Sequence, residues 1–186
     1  MINSKQKLRI TLAVEYAQYF PSKKSFIRSM LLRERFFYVW RYQKALRCLE
    51  YYKIKKAGGG WLSKLLFAFY SRKVNKLGMD LGVDTWCNVF DEGLLIHHVA
   101  GGIVVNSQSR IGKNCHLHGN NCIGNNGLPD GGSPVIGDNC MIGVGSKIVG
   151  NIQLGNNIKI AAGAVVVKSC LQDGVTLAGV PARIIK

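Results

Sequence analysis

The chain has 186 residues, of which 47% are hydrophobic and 19% are charged, a balance that is typical of globular proteins and excludes disordered and fibrous classes. Its formal net charge of +15 is unevenly distributed. Residues 1–79 contain 18 Lys and Arg against three acids, whereas residues 80–186 contain seven basic and seven acidic residues. The positive charge therefore belongs to the N-terminal part of the chain.

That basic part is predicted to be helical, because its apolar residues recur at helical spacing from Phe26 onward. Pro21 and Ser22 predict the start of a long helix, and the glycines at 58–60 predict its end. A further helix is predicted over residues 61–76.

Targeting signals are not evident in this part of the sequence. Residues 1–20 are interrupted by charges and lack the apolar run of a secretory signal, and residues 61–70 are too short to span a bilayer. The six cysteines form no CxxC pair and are expected to be reduced thiols. We expect a cytoplasmic protein, at the inner face of the membrane if its basic part contacts lipid.

From Val99 onward an aliphatic residue recurs every six residues, with one interruption. The series is Val99, Val105, Ile111, Leu117 and Ile123, then Ile136, Ile142, Ile148, Leu154, Ile160 and Val166. The next residue is commonly Gly or Ala, where a larger side chain would crowd a tight turn. Six residues of short strand and turn form one wall, and three walls close an 18-residue coil that stacks on its neighbours as parallel strands. The pattern therefore predicts a parallel β-helix.

The predicted organisation has three parts: a basic α-helical region at 1–78, the β-helix at 79–172 and a C-terminal tail at 173–186. The interruption between Ile123 and Ile136 contains turn-forming residues, so we expect a projecting loop near 125–135 that serves binding. Cysteines at the fifth hexad position are expected to be small buried fillers.

Three strings accompany the hexads: Leu95–Val105 (LIHHVAGGIVV), Ile136–Asn139 (IGDN) and Ala178–Arg183 (AGVPAR). Together with the hexads they resemble the left-handed β-helix (hexapeptide-repeat) acyltransferases, within them the serine acetyltransferase-like branch that includes polysaccharide O-acetyltransferases. The resemblance covers roughly residues 78–186. It implies a mainly β fold with a left-handed parallel β-helix after the helical region. It also implies a homotrimer with active sites between neighbouring β-helices, and acetyl-CoA as co-substrate.

The resemblance also maps the family's catalytic histidine onto His98, with His97 as a weaker candidate. A neutral imidazole can take the proton of an acceptor hydroxyl while that oxygen attacks the thioester. Asp84 is the first candidate for the carboxylate that orients His98, and Asp91 and Glu92 are alternatives.

The acceptor is predicted from a departure from the family pattern. Serine acetyltransferases carry a second histidine before a proline, and Ser133 stands there in this chain. We therefore expect an O-acetyltransferase acting on a sugar or oligosaccharide hydroxyl, with L-serine as the alternative acceptor. A non-catalytic or metal-binding β-helix scaffold is the alternative of another class.

Acceptor contacts are expected from His97, His116, His118 and Asn125. Because His116 follows His98 by 18 residues, the period predicts that these two stack on one wall. No metal is expected, because His116 and His118 lack the five-residue spacing of the histidine pair in β-helix proteins of the carbonic anhydrase type.

Cofactor contacts are expected late in the coils. Lys168 and Arg183 suit the phosphates of an acyl-CoA. Gly143, Ala161 and Ala162 would let its pantetheine arm approach the backbone closely.

The basic helical region allows several roles. It is expected to cover one end of the β-helix, with peripheral contact to an anionic membrane as an alternative. No nucleic-acid partner is expected, because no DNA- or RNA-binding motif accompanies the basic residues.

Overall fold

The protein is described by a computed structural model that covers residues 2–128 and 131–185. It divides into two units, Met1–Leu81 and Gly82–Lys186. Pro129 and Asp130 of the predicted loop, together with Met1 and Lys186, lie outside the described residues.

The first unit is helical. Its helices are α1 Lys5–Tyr19, α2 Lys23–Leu31, α3 Arg35–Ala57 and α4 Trp61–Leu81. Ser22 caps α2 through a reciprocal capping box with Ser25, so the predicted helix start is found. The long helix predicted from there is two helices, because Arg33 adopts a φ of 53° and interrupts the chain before α3. None of the helices in the described part of the chain is both long and apolar enough to cross a membrane.

A buried ion-pair network lies inside the helical unit. Arg47 of α3 donates to Glu15 at 2.6 Å and to Glu50 at 2.9 Å, and none of the three residues is more than 1% exposed. Burial by itself lowers the pKa of Arg47, but the two carboxylates outweigh it and the pKa is raised. Two of the three acids of residues 1–79 are therefore internal, and the surface of this unit is more basic than its formal charge indicates.

The second unit is built from short parallel strands. They are β1 Val83–Asp84, β2 Leu95–Ile96, β3 Ile103–Val105, β4 Arg110–Ile111, β5 His116–Leu117, β6 Asn121–Gly124, β7 Val135–Ile136, β8 Met141–Ile142, β9 Lys147–Val149, β10 Gln153–Leu154, β11 Lys159–Ile160, β12 Val165–Val166, β13 Thr176–Gly179 and β14 Ala182–Ile184. They form three sheets, ordered β1-β3-β6-β9-β12, β10-β7-β4 and β14-β13-β11-β8-β5-β2. Successive coils add strands to the three walls in turn, as the hexads predict, and at the two ends the three-stranded wall is continued only by the single bridges Phe90–Ile111 and Leu154–Cys170.

The register shows how the aliphatic series fills the core. Ile136 pairs with Leu154, 18 residues on, and both are at most 4% exposed. Ile111 pairs with Ile136 across the interruption, a separation of 25 residues (136 − 111), so seven residues are added to one coil without disturbing the pairing. They belong to the segment between β6 and β7, which contains the predicted loop.

The prediction that Val99 is the first inward aliphatic is wrong. Val99 is half-buried in a corner, where Gly102 donates to the carbonyl of Val99 at 3.0 Å. The inward residue of this coil is Ile96, which pairs with Leu117. Because Ile96 precedes Val105 by nine residues instead of six, the corner is three residues wider than a hexad allows.

The small residues of the hexads have a clear physical role. A Cβ on Gly137 would lie 2.5 Å from the carbonyl oxygen of Gly155. The crowding is therefore against the next coil, not within the same turn. Cys115 and Cys140 are each 1% exposed, which agrees with their interpretation as buried fillers, whereas Cys170, also at the fifth position, is only half-buried.

Residues 173–186, predicted to be a tail, instead carry the two last strands. β13 pairs in parallel with β11, and β14 pairs antiparallel with β13.

Candidate active site

A groove of about 620 Å³ brings together several of the predicted site residues. His98, His118, Gly143, Ala161 and Ala162 all line it. The predicted base and the predicted pantetheine contacts therefore share one cavity.

The strand register explains why these residues meet. In the sheet that contains β5, β8, β11 and β13, backbone hydrogen bonds run from His97 to Leu117, from His118 to Ile142 and from Gly143 to Ile160. The residues that follow the inward aliphatics therefore form one row along the outside of this sheet: His97, His118, Gly143 and Ala161. Small residues far along this row leave room beside the histidines.

The adjacent row contributes lining residues that sequence reasoning missed. Met141, Lys159 and Thr176 pair with one another across β8, β11 and β13, and all three line the groove. Their signal in the sequence is their position immediately before an inward aliphatic, as Lys159 precedes Ile160. Lys159 brings a cation to the groove, where sequence reasoning placed Lys168 and Arg183.

Lys168 and Arg183 are both exposed and are not among the residues lining this groove. Arg183 lies in β14, where its guanidinium donates to the carbonyl oxygen of Ala182 at 3.0 Å. Within one chain, the structure therefore does not bring these two predicted phosphate contacts to His98.

Asp84 and His98 line different grooves of the chain. Asp84 lies on the exposed side of β1 and lines a second groove, of about 420 Å³, which Asn125 also lines. His98 lies in the corner between β2, which belongs to another sheet, and β3, which pairs with β1. Of the alternative carboxylates, Glu92 forms an ion pair with Lys113 at 3.7 Å, and Asp91 is exposed.

The predicted stacking of His98 on His116 is wrong, because the wide corner changes the register. His97 lies beside His118 instead, with parallel rings whose centroids are 4.2 Å apart. His97 also contacts His116, with 3.3 Å between Nε2 and Nδ1. Three of the four histidines of the chain therefore form one cluster, and the fourth, His98, lines the groove with His118.

Electrostatics favour neutral rings at His116 and His118. Burial, and then the charge of His118, lower the pKa of His116. Burial, and then the charge of His98, lower the pKa of His118. Imidazoles that stay neutral at physiological pH can accept a hydrogen bond or bind a metal ion.

Comparisons with known proteins agree with this architecture. Residues 133–168 match the family model for bacterial transferase hexapeptide (six repeats). A serine acetyltransferase in complex with cysteine aligns with a TM-score of 0.69 and 23% identity over 98% of this chain and 71% of its own. The serine acetyltransferase of Neisseria gonorrhoeae aligns with a TM-score of 0.70 and 24% identity over 99% and 70%.

This chain has the serine acetyltransferase fold. The enzyme of Brucella abortus strain S19 in complex with coenzyme A adds a match at 28% identity and a TM-score of 0.65, over 96% of this chain and 66% of that one. No curated protein matches the chain. The predicted resemblance to hexapeptide-repeat acyltransferases, and the left-handed β-helix preceded by helices, are confirmed.

Proposed function

We propose that the protein is an acetyl-CoA-dependent O-acetyltransferase with His98 as general base. The observation that carries this proposal is the shared groove, in which an exposed imidazole, small residues and a lysine line one cavity. Its volume of about 620 Å³ suits a bound cofactor arm. Gly143, Ala161 and Ala162 leave room for pantetheine, and Lys159 offers a charge to a phosphate. The solved complexes with CoA among the similar structures support the same donor.

The reaction requires one proton to be moved twice. Neutral His98 takes the proton of the acceptor hydroxyl as that oxygen attacks the thioester carbonyl. When the tetrahedral intermediate collapses, the C–S bond breaks and the imidazolium returns the proton to the departing thiolate. The products are the acetyl ester and free CoA.

For the acceptor, the comparisons favour L-serine over a sugar, since the similar proteins are serine acetyltransferases and one is solved with serine bound. One observation keeps a sugar hydroxyl as the second candidate. Ser133, which replaces the second histidine of the family pattern, is 8% exposed, and its hydroxyl has no hydrogen-bond partner among the described residues. An amino-acid acceptor would lack the imidazole contact that this position supplies in the family.

The test is a thiol-release assay with acetyl-CoA against serine and a panel of sugars. His98→Asn is expected to lower the rate by about 10²- to 10⁴-fold, because the general base is lost. Arg28→Ala, a change on the exposed surface of the helical unit, is the control and is expected to keep the wild-type rate. Release at the wild-type rate by His98→Asn would refute the proposal. Saturation with serine alone would assign the acceptor.

We extend the proposal to a homotrimer whose sites combine residues of two chains. A shared site would account for the separation of Asp84 and His98 within one chain, because the cleft between two β-helices can bring together residues from different walls. If Asp84 orients His98 across subunits, His98→Asn and Asp84→Asn are each inactive, and dissociating and reassembling them together restores part of the activity. Sedimentation velocity checks the trimer, and failure of the mixture to regain activity contradicts the shared site.

We also propose that the helical unit contacts anionic membranes. Trp61, Leu62, Leu65 and Phe69 lie along one side of α4 and are 52–76% exposed, within a unit whose surface is strongly basic. Aromatic and aliphatic groups beside Lys and Arg favour the interface of anionic bilayers. Wild type should cosediment with anionic phospholipid vesicles, whereas Trp61→Ser/Phe69→Ser should not. Equal binding to neutral vesicles, or none at all, would contradict this.

A further inference from the structure

The histidine cluster described above has the composition of a metal site. His97 follows β2, while His116 and His118 flank Leu117 at β5. The register of these neighbouring strands places the three side chains together, and a ring nitrogen of each lies within 4.8 Å of the others. The three are half-buried.

The distances fit a divalent ion bound by nitrogen. In a tetrahedral site with zinc–nitrogen bonds of about 2.0–2.1 Å, ligand nitrogens lie about 3.3–3.4 Å apart. The Nε2 of His97 and the Nδ1 of His116 are already 3.3 Å apart. The rings of His97 and His118 lie parallel, so one of them must turn about its side-chain torsions to point at a common centre. No nitrogen separation in the cluster exceeds 4.8 Å, so the longest has to shorten by at most about 1.5 Å.

A second observation points to a missing ligand. The Nε2 of His118 is buried and has no hydrogen-bond partner among residues 2–128 and 131–185. A buried polar atom without a partner loses the free energy of its hydration. Binding a cation would satisfy it, whereas the contact between His97 and His116 leaves it unpaired.

We propose that His97, His116 and His118 of one chain bind a single Zn²⁺ or similar first-row divalent ion. Imidazole nitrogen suits these ions. Three protein ligands leave a fourth position open, as in catalytic zinc sites. That position lies on the side of the groove, because His118 lines the groove together with His98. The site does not depend on the proposed acetyl transfer.

The prediction that no metal binds was based only on the spacing of His116 and His118 in the sequence. The decisive ligand is His97, which the three-residue widening of the first corner brings level with His118. The competing interpretation is a pair of neutral histidines joined by a hydrogen bond, with no affinity for metal.

The experiment uses the full chain, stripped with a chelator, dialysed and titrated with ZnCl₂ in a calorimeter. We expect saturation at one ion per chain, and a four-coordinate visible spectrum when Co²⁺ is used instead. His116→Asn and His97→Asn should each weaken binding by at least about 10- to 100-fold, the range seen when only a hydrogen-bond partner of a metal ligand is removed. Lys168→Ala, an exposed change outside the groove, is the control and should leave the affinity unchanged.

Several outcomes would overturn the site. One is the absence of stoichiometric binding by the wild type, which needs no variant to fold. Another is undiminished binding by His116→Asn and His97→Asn, which would place the ion on the cysteines or elsewhere. Because the readout is metal binding, the test stands whether or not the protein transfers acetyl groups.

Discussion

Replacing Arg47 with methionine tests the internal ion-pair network of the helical unit. The change removes a guanidinium that is 1% exposed and leaves the carboxylates of Glu15 and Glu50 buried without their cation. Breaking a buried pair in this way costs about 3–5 kcal/mol, because an uncompensated charge stays in a medium of low polarity. That is a large part of the roughly 5–15 kcal/mol by which a typical domain is stable.

The assay is urea unfolding followed by the helical circular dichroism signal. With a slope of about 2 kcal/mol per molar urea, the midpoint should fall by about 1.5–2.5 M. The control is Arg28→Met, which breaks the exposed pair with Glu34, where the two side chains are 73% and 38% exposed. An exposed pair contributes about 0–1 kcal/mol. If both variants shifted the midpoint equally, the buried network would not stabilise this unit as argued.

Three further predictions concern the β-helix. Lys159→Ala should raise the KM for acetyl-CoA by about 10- to 100-fold, the loss expected for a charged hydrogen bond of about 1.5–3 kcal/mol. Lys168→Ala, outside the groove, is the control and should change the KM little in steady-state kinetics. Equal effects of the two changes would contradict the placement of the CoA phosphate beside Lys159. Ala162→Trp should abolish acetyl-CoA binding in calorimetry, because Ala162 is an exposed residue of the groove lining and an indole there would fill the space. Binding at wild-type affinity would exclude this groove as the cofactor site. The pKa values of His116 and His118 are lowered in the folded protein, so the unfolded chain binds more protons and the metal-free protein should lose stability as the pH falls below about 6.5. In thermal unfolding across pH 5–8, His116→Gln should lose less stability than the wild type. Parallel curves for the two proteins would contradict the lowered pKa of His116.

The hexads predicted the β-helix because its core depends on a local repeat. From Ile136 to Val166 the inward aliphatics follow the six-residue rule, so Ile142, Ile148 and Ile160 could be identified from spacing alone, and each is at most 2% exposed. Local chemistry likewise predicted the helix start at Ser22. The break at Arg33 was missed because no Gly or Pro marks it in the sequence.

The candidate site was predicted less completely, since its geometry depends on the register between coils. His98 and the small residues were found from motif and spacing. The partnership of His97 with His118 was not, because it depends on how many residues the first corner contains, and the hexad period gives no such number. Lys159 was missed for a related reason, as outward residues of a strand follow no compositional rule.

The seven residues added to the coil between Ile111 and Ile136 carry a consequence for the evolution of the protein. The strands on either side of the insertion keep their pairing, so the stacked core aliphatics do not depend on what is inserted at this corner. The segment can lengthen, shorten or change in composition without a compensating change in the core. Asn125, at its start, lines the second groove, so such exchanges alter the lining of that groove while the scaffold stays constant. If Asn125 contacts the acceptor, as the sequence predicts, acceptor preference can diverge among relatives faster than the fold, and transplanting this corner between them would change it.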